Sequence, residues 1–396
     1  MAGRARGQGS GPGRHLGSGL IKPMVFLNPR GLGREPSFPP LGLLKAEAFE
    51  LAEVIALKRA ASVPIHVVFP VKEAQEAANL EKLCVLLEPL HPLLFDQGWL
   101  ALGGDEPGAL LELTRHRPWL KLFQARQFPS PDQPPQIRGK GAVMRALLYH
   151  LVQSGEVTDD RTIIQFIDAD IVPSYFGSHW LAGPVGAILW FKQVEAAKIV
   201  YFRPQGGRLN AFLRSLLATI PHSAIKPLQT LVYLLSGEMA GTLRFWTAVP
   251  FKAGYGVEVM ILLALALRQV QLHPDIPALE QVAQVFVGQM DHRHAPLVSS
   301  GSLPGLDQMA GNVFLTLFEV LRRNGLLSWS QTVAGSPHLT IPTMGSGPAA
   351  SPEWLQVALG EHTFPPLGDL PEIAAVLNPT GNRVFQRGPQ NCGDDS

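Results

Sequence analysis

Nine residues near the middle of the chain, Thr162–Asp170 (TIIQFIDAD), constrain its fold more than any others. The run is almost wholly apolar until two carboxylates close it. A strand apolar on both faces belongs at the centre of a sheet covered by helices on both sides, the setting of parallel sheets. In open α/β sheets, ligands bind beyond the carboxyl ends of such strands. Asp168 and Asp170 therefore stand where a ligand is expected. Two hard oxygen donors at alternating positions suit Mg²⁺ or Mn²⁺, which bridge to phosphate oxygens. The plainer reading is an acidic pair that caps the next element.

The flanking pattern supports an α/β fold. Val63–Pro70 reads as a strand, Glu73–Leu90 as a helix, Trp99–Leu102 as a strand and Asp105–Arg115 as a helix. A weak strand at Lys121–Phe123, a Pro-rich loop and a helix over Lys140–Val152 follow. Such alternation predicts a parallel sheet. Leu41–Arg59, ahead of these, has helical spacing. Beyond Asp170 the pattern gives helices at Tyr175–Leu189, Leu209–Leu217, Leu228–Leu234, Val257–Val270 and Gly311–Asn324, with strands at Ala196–Phe202 and Val282–Val287.

Composition narrows the function. With 46% hydrophobic and 16% charged residues and a net charge of +1, general disorder and a broad nucleic-acid surface are excluded. The 39 Gly and 35 Pro far exceed ordinary usage and call for long loops or tails. Residues 1–40 read as a flexible tail. Cys84 and Cys392 form no metal or disulfide pattern, which fits a reducing cytoplasm. No apolar stretch is long enough to span a bilayer, and the Arg-containing N-terminus lacks an apolar signal core.

Four further motifs carry candidate chemistry, each with a plainer reading. Gly139-Lys140-Gly141 opens a helix, where N–H groups and an ammonium suit a phosphate; an ordinary turn with a solvated lysine fits equally. Gly206-Gly207-Arg208 could present a guanidinium fork to a carboxylate or phosphate, or be a surface turn. Ser236-Gly237-Glu238 pairs with Gly254-Tyr255-Gly256-Val257-Glu258. Glu258 starts an otherwise apolar helix, so it either needs a partner such as a sugar hydroxyl or complements the helix dipole. Asp291-His292-Arg293-His294 offers imidazole ligands without a zinc-helix spacing, or is a polar loop.

Taken in order, PVKE, GKG, FIDAD, YFRPQGGR, LSGEMAG, PFKAGYGVEV and DHRHAPL resemble the glucosyl-3-phosphoglycerate synthases, retaining glycosyltransferases of GT-A fold. Part of the pattern is shared with the mannosyl-3-phosphoglycerate synthases. The resemblance runs from Ile65 to Arg323. It implies a Rossmann-type, mostly parallel sheet flanked by helices, with a smaller acceptor-binding C-terminal part. The nucleotide-sugar half would be residues 41–195, the acceptor half 196–330, and 331–396 a partly disordered extension.

The same resemblance implies roles. Asp170 and His292 would hold Mg²⁺ or Mn²⁺, and Asp170 and Glu258 would be catalytic. Pro70, Glu73, Gly139, Lys140, Asp168, Gly237 and Tyr255 would bind the donor, UDP-glucose first and a GDP-sugar second. Gly207, Arg208, Asn210, Arg293 and His294 would bind a small anionic acceptor, 3-phosphoglycerate first. A cytoplasmic homodimer is implied. The chain departs from the family in places. Lys72-Glu73-Ala74-Gln75-Glu76 replaces the acidic base-binding segment, Leu102-Gly103-Gly104-Asp105 stands where an Asp-Ser-Gly-Ser turn is usual, Asn210 replaces a Thr, and His294-Ala295 alters the acceptor side. Two other classes remain. A sugar-phosphate nucleotidyltransferase would need a Gly-rich loop after its first strand, and Val63–Glu76 has no Gly. A non-catalytic sugar-nucleotide-binding protein would share the site but not turn over.

Overall fold

Short β-branched and aromatic runs pair into one eight-stranded sheet in the computed structural model. The structure describes residues 26–32, 38–134, 138–203, 207–220, 222–292, 305–327, 338–344, 352–358 and 361–377. The strands are β1 (Leu43–Lys45), β2 (Ile65–Val71), β3 (Gln97–Leu102), β4 (Leu120–Gln124), β5 (Ile163–Phe166), β6 (Ala196–Phe202), β7 (Met239–Thr242), β8 (Phe251–Lys252) and β9 (Val282–Gln289). Further strands are β10 (His338–Met344), β11 (Pro352–Ala358) and β12 (Thr363–Phe364). The helices are α1 (Pro29–Leu32), α2 (Leu51–Ala61), α3 (Ala77–Leu87), α4 (Gly108–Arg115), α5 (Lys140–Gln153) and α6 (His179–Trp190). They continue as α7 (Arg208–Ala218), α8 (Leu243–Ala248), α9 (Val257–Ala266), α10 (Leu306–Arg323) and α11 (Pro371–Leu377).

The large sheet has the order β1-β9-β6-β7-β5-β2-β3-β4. Every pairing in it is parallel except the two made by β7, which runs antiparallel between β5 and β6. Successive residues of β5 bury opposite faces. Ile164 and Phe166 join the core beneath α5, α9 and α10, while Ile163 and the following Ile167 join the core beneath α3 and α6. Such two-sided burial is what an apolar central strand is for. The apolar α9 lies inside the first of these cores, with Val257 and Val259–Ala266 all buried.

Several elements differ from the sequence pattern for physical reasons. β7 (MAGT) has only four residues, Ala and Gly among them, so no period announces it. Leu228–Leu234 does not form an α-helix. Lys226–Thr230 makes a 3-10 turn beginning at a proline, and the chain then extends. There, side chains replace the helical acceptors. Gln284 Oε1 accepts from the Val232 N–H at 2.7 Å, and Asn210 Oδ1 from the Leu234 N–H at 2.6 Å. Leu41–Arg59 divides into β1, a 3-10 turn and α2.

The C-terminal region contributes folded structure. β10 and β11 form a two-stranded antiparallel sheet, and β12 pairs antiparallel with β8. Phe364 and Ile373 are fully buried. Among the described residues no helix is long and apolar enough to cross a membrane.

Candidate active site

The reversal of β7 assembles the site. Because β7 runs against its neighbours, the loop that enters it, Ser236-Gly237-Glu238, lies at the edge where parallel β5 and β6 end. The Ile199 N–H bonds the Glu238 carbonyl at 3.0 Å, which fixes that loop against β6. Asp168 and Asp170 follow β5 at the same edge. α3 holds their turn, since the buried Asn79 amide donates to the carbonyls of Ala169 at 2.7 Å and Ile171 at 2.9 Å. His292 follows β9 and forms a bridge with Ile171, supported by a 3.0 Å bond from the Val172 N–H to the Asp291 carbonyl.

Lys140, at the first turn of α5, reaches the centre. Its ammonium lies 2.5 Å from Asp168 Oδ1 and 3.1 Å from Glu258 Oε1. Burial opposes its charge, but Asp168, Glu258 and Glu238 outweigh that and raise its pKa. Gly237 backs this group. A side chain there would land on the Lys140 ammonium and come within 2.9 Å of Asp168 Oδ2 and Glu258 Oε1. Glycine at 237 thus leaves the space that the ion cluster fills.

A second contact lies beside it. His292 Nε2 is 2.9 Å from Glu238 Oε1 and 3.9 Å from Asp170 Oδ1. Burial disfavours the charge on both His292 and Glu238. Their mutual hydrogen bond overcomes this, raising the His292 pKa and lowering that of Glu238. Burial pushes Asp170 up to about 6 despite the nearby His292, although 41% of its side chain stays open to the cleft. Lys198, a lone charge in the apolar strand β6, is buried and donates to the Ser236 carbonyl at 2.6 Å. Burial lowers it to about 8 against the pull of Glu258 and Glu238.

Other candidate residues divide between this cluster and places away from it. Tyr255 faces the same charges, its phenol pushed up to about 12 by burial with Lys140 opposing. Gly139 and Gly141 accompany Lys140, but a Cβ on either would strike the backbone of 252–254. Their bareness lets α5 pack against that loop. Pro70 lies in β2 opposite Ala101 of β3, and Glu73 is 3.9 Å from the Lys72 ammonium. Glu76 is the nearer acid. Its carboxylate accepts from the Lys72 N–H at 2.9 Å, and burial, reinforced by Asp170 and Asp168, raises it to about 7.

On the acceptor side, Gly207 takes a left-handed conformation with φ +83° before α7. It lines a cavity of about 460 Å³ with Tyr201, Arg203, Asn210 and Tyr233. Arg208 is exposed. Asn210 is held by Leu234, so its amide oxygen ties α7 to the chain before β7. Arg293 and His294 lie outside the described residues. Arg203, which the sequence marks only as a neighbour of Gly-Gly-Arg, pairs with Asp291 at 3.3 Å and faces the Tyr233 hydroxyl at 3.5 Å.

The donor set fits a hard divalent cation. Ligand atoms of Asp168, Asp170 and His292 all lie within 4.8 Å of one another. Glu238 Oε2 is buried without a hydrogen-bond partner beside them, and an unpaired buried carboxylate oxygen is costly. Carboxylate oxygens with one imidazole suit Mg²⁺ or Mn²⁺.

No family model matches the chain. Among curated proteins it is 26% identical over 292 residues to the glucosyl-3-phosphoglycerate synthase of Petrotoga mobilis, an alignment covering 70% of this chain and 79% of that protein. Among solved structures, the Mycobacterium tuberculosis glucosyl-3-phosphoglycerate synthase, in complex with Mn²⁺, UDP and glucosyl-3-phosphoglycerate, matches with a TM-score of 0.58 and 26% identity. That match covers 80% of this chain and 95% of that one. The mannosyl-3-phosphoglycerate synthase of Rubrobacter xylanophilus shares the fold, with a TM-score of 0.64 and 20% identity over 83% of this chain and 97% of that one.

Proposed function

We propose that this chain, which is similar in sequence and fold to the glucosyl-3-phosphoglycerate synthases and in fold to a mannosyl-3-phosphoglycerate synthase, transfers glucose from UDP-glucose to 3-phosphoglycerate with retention at the anomeric carbon. The observation that carries the reading is the centre in which Lys140 joins Asp168 to Glu258 against the bare backbone of Gly237. A nucleotide diphosphate needs positive charge at its oxygens, and a hexose needs buried hydroxyl acceptors. This centre supplies both within one cluster.

Asp170, His292 and Asp168 would hold the divalent cation, which when bound neutralises charge on the departing diphosphate. Lys140 adds a fixed ammonium on the diphosphate side and orients Asp168 and Glu258. Glu258 presents a carboxylate to the sugar hydroxyls from the first turn of α9, and Tyr255 closes the same face. Gly237 leaves room for the Lys140 ammonium between Asp168 and Glu258. Glu238 holds the His292 ring in place. Arg208 and Arg203 offer guanidinium groups to the phosphate and carboxylate of the acceptor. This arrangement assigns no side chain as a general base, which suits a same-face transfer where the leaving phosphate takes the acceptor proton.

The test is turnover with UDP-glucose, Mg²⁺ or Mn²⁺, and 3-phosphoglycerate. The expected products are UDP and a glucosylated phosphoglycerate of retained anomeric configuration. Release of pyrophosphate from a nucleoside triphosphate and a sugar phosphate would instead make the chain a nucleotidyltransferase. Binding of UDP-glucose without turnover would make it a binding protein. A parallel donor panel decides between UDP- and GDP-sugars, and light scattering on the same preparation decides the dimer.

A further inference from the structure

The loop that delivers Tyr255 and Glu258 is held from a distance of about a hundred residues along the chain. Glu361 lies just before β12, in a segment that resembles no motif. Its carboxylate enters the turn Gly254-Tyr255-Gly256. Oε2 accepts from the Gly254 N–H at 3.2 Å and from the Gly256 N–H at 2.9 Å, and the Tyr255 N–H between them also favours the charge on this carboxylate. Successive N–H groups converging on one anion form a nest, and charged acceptors make such bonds stronger than neutral ones.

Side chains on the glycines of this turn would crowd Glu361. A Cβ on Gly254 would lie 2.5 Å from Glu361 Oε1, and one on Gly256 would lie 2.9 Å from Oε2 and collide with the Thr316 hydroxyl of α10. Neither Gly254 nor Gly256 has a positive φ. The close approach of the carboxylate, joined at Gly256 by Thr316, crowds these positions, and backbone strain does not. Glu361 is itself anchored. Its carbonyl accepts from the Lys252 ammonium at 3.1 Å, and the same buried ammonium pairs with Glu319 of α10 at 2.6 Å. The pairing of β12 with β8 then fixes the segment beside the turn.

We infer that Glu361 is a positioning residue for sugar transfer, locking the 254–256 turn so that Tyr255 and Glu258 face the donor. The inference rests on the glycosyltransferase reading for its kinetic consequence, but not for its structural one. Glu361→Ala removes the anion from the nest. Glu361→Gln keeps the shape and one acceptor oxygen. In the full-length protein, hydrogen exchange at the 254–256 amides is expected to rise about 10- to 100-fold in Glu361→Ala, the range that hydrogen bonds to a charged group span. Glu361→Gln should fall between it and the parent. With UDP-glucose and 3-phosphoglycerate, KM for the donor should rise several-fold in Glu361→Ala, KM for the acceptor should stay put, and Glu361→Gln should recover much of the loss.

A role confined to folding would lower kcat in proportion to the folded fraction and move neither KM, and that result would overturn the inference. So would unchanged exchange at the three amides. If Glu361→Ala does not fold, Glu361→Gln carries the same two measurements. If the parent protein transfers no glucose, the functional reading fails, and the exchange measurement still decides whether Glu361 locks the turn.

Discussion

β7 has a buried glutamate–histidine pair at each end, and the two pairs are built differently. At its start, Glu238 meets His292, with Asp168, Asp170 and Glu258 also close by. Lys140, Lys198 and His292 supply the facing positive groups. At its end, Glu195 meets His273 at 2.6 Å, Arg244 at 3.1 Å and the hydroxyl of Thr242. Arg244 also grips Asp160 at 2.8 Å. The second cluster is closed, since each acid has a cation. The first has a surplus of carboxylates, a buried oxygen without a partner, and an opening to solvent at Asp170. Buried charge persists when it is paired or when a ligand completes it. The closed cluster is thus a fastener of the fold, and the open one has the donor set of a cation site.

Substitutions should separate the two. The largest effect is expected at Asp170. Asp170→Asn should lower metal-dependent transfer by about 10³-fold, the scale of losing one preorganised electrostatic contact to a departing group. Its stability should hold, because one acid leaves a surplus. Full activity in the variant would remove Asp170 from the cation site. Glu195→Ala should do the reverse. It leaves Arg244 and His273 short of a buried partner and should cost about 3–5 kcal/mol of unfolding free energy, with kcat/KM per folded molecule unchanged. Denaturant melts and active-site titration together report both quantities. A variant that loses activity and keeps its stability would make the closed cluster part of the site.

Much of the open cluster was legible in the sequence, the closed one was not, and what was hidden was hidden for definite reasons. TIIQFIDAD announces a central strand with acids at its end because apolar runs and carboxylates differ sharply in character. GYGVE marks an acid at the head of an apolar helix for the same reason. β7 carries no such signal. Its four residues, Met, Ala, Gly and Thr, acquire meaning only from β5 and β6 on either side, which is information the local pattern lacks. Gly139 and Gly141 invite a phosphate reading, yet the atoms they make room for belong to the protein's own 252–254 backbone. Asn210 reads as an acceptor contact, yet its amide replaces a helical bond at Leu234. The partners of a polar residue are set by tertiary neighbours, and a one-dimensional pattern names the residue but not the neighbour. Glu361 is the extreme case, because it reaches the 254–256 turn from about a hundred residues further along the chain.

Cation binding sharpens the comparison at a smaller scale. A ligand that binds only the folded state stabilises it by mass action, about 2.7 kcal/mol at a hundredfold excess over Kd. Mn²⁺ should therefore raise the thermal midpoint of the parent and of Glu195→Ala equally, and that of Asp170→Asn far less. An equal shift in all three would place the cation elsewhere.

The smallest effect expected is a pH slope that belongs to the closed cluster alone. Burial works to raise the Glu195 pKa, but bonds from His273 and Thr242 and the charge of Arg244 depress it below the ordinary glutamate value. A depressed carboxylate stabilises the fold fully above its unfolded pKa and loses that contribution as pH falls through the folded value. Stability should thus be flat in this respect above about pH 5 and decline below it, by at most about 1.4 kcal/mol per pH unit for one group. Glu195→Gln, with nothing to protonate, should show a shallower acid limb in urea melts at successive pH values, whereas Asp170→Asn should keep this contribution. If Glu195→Gln retains the full slope, the acid sensitivity lies with other carboxylates, and the closed cluster holds the fold by shape and hydrogen bonds more than by charge.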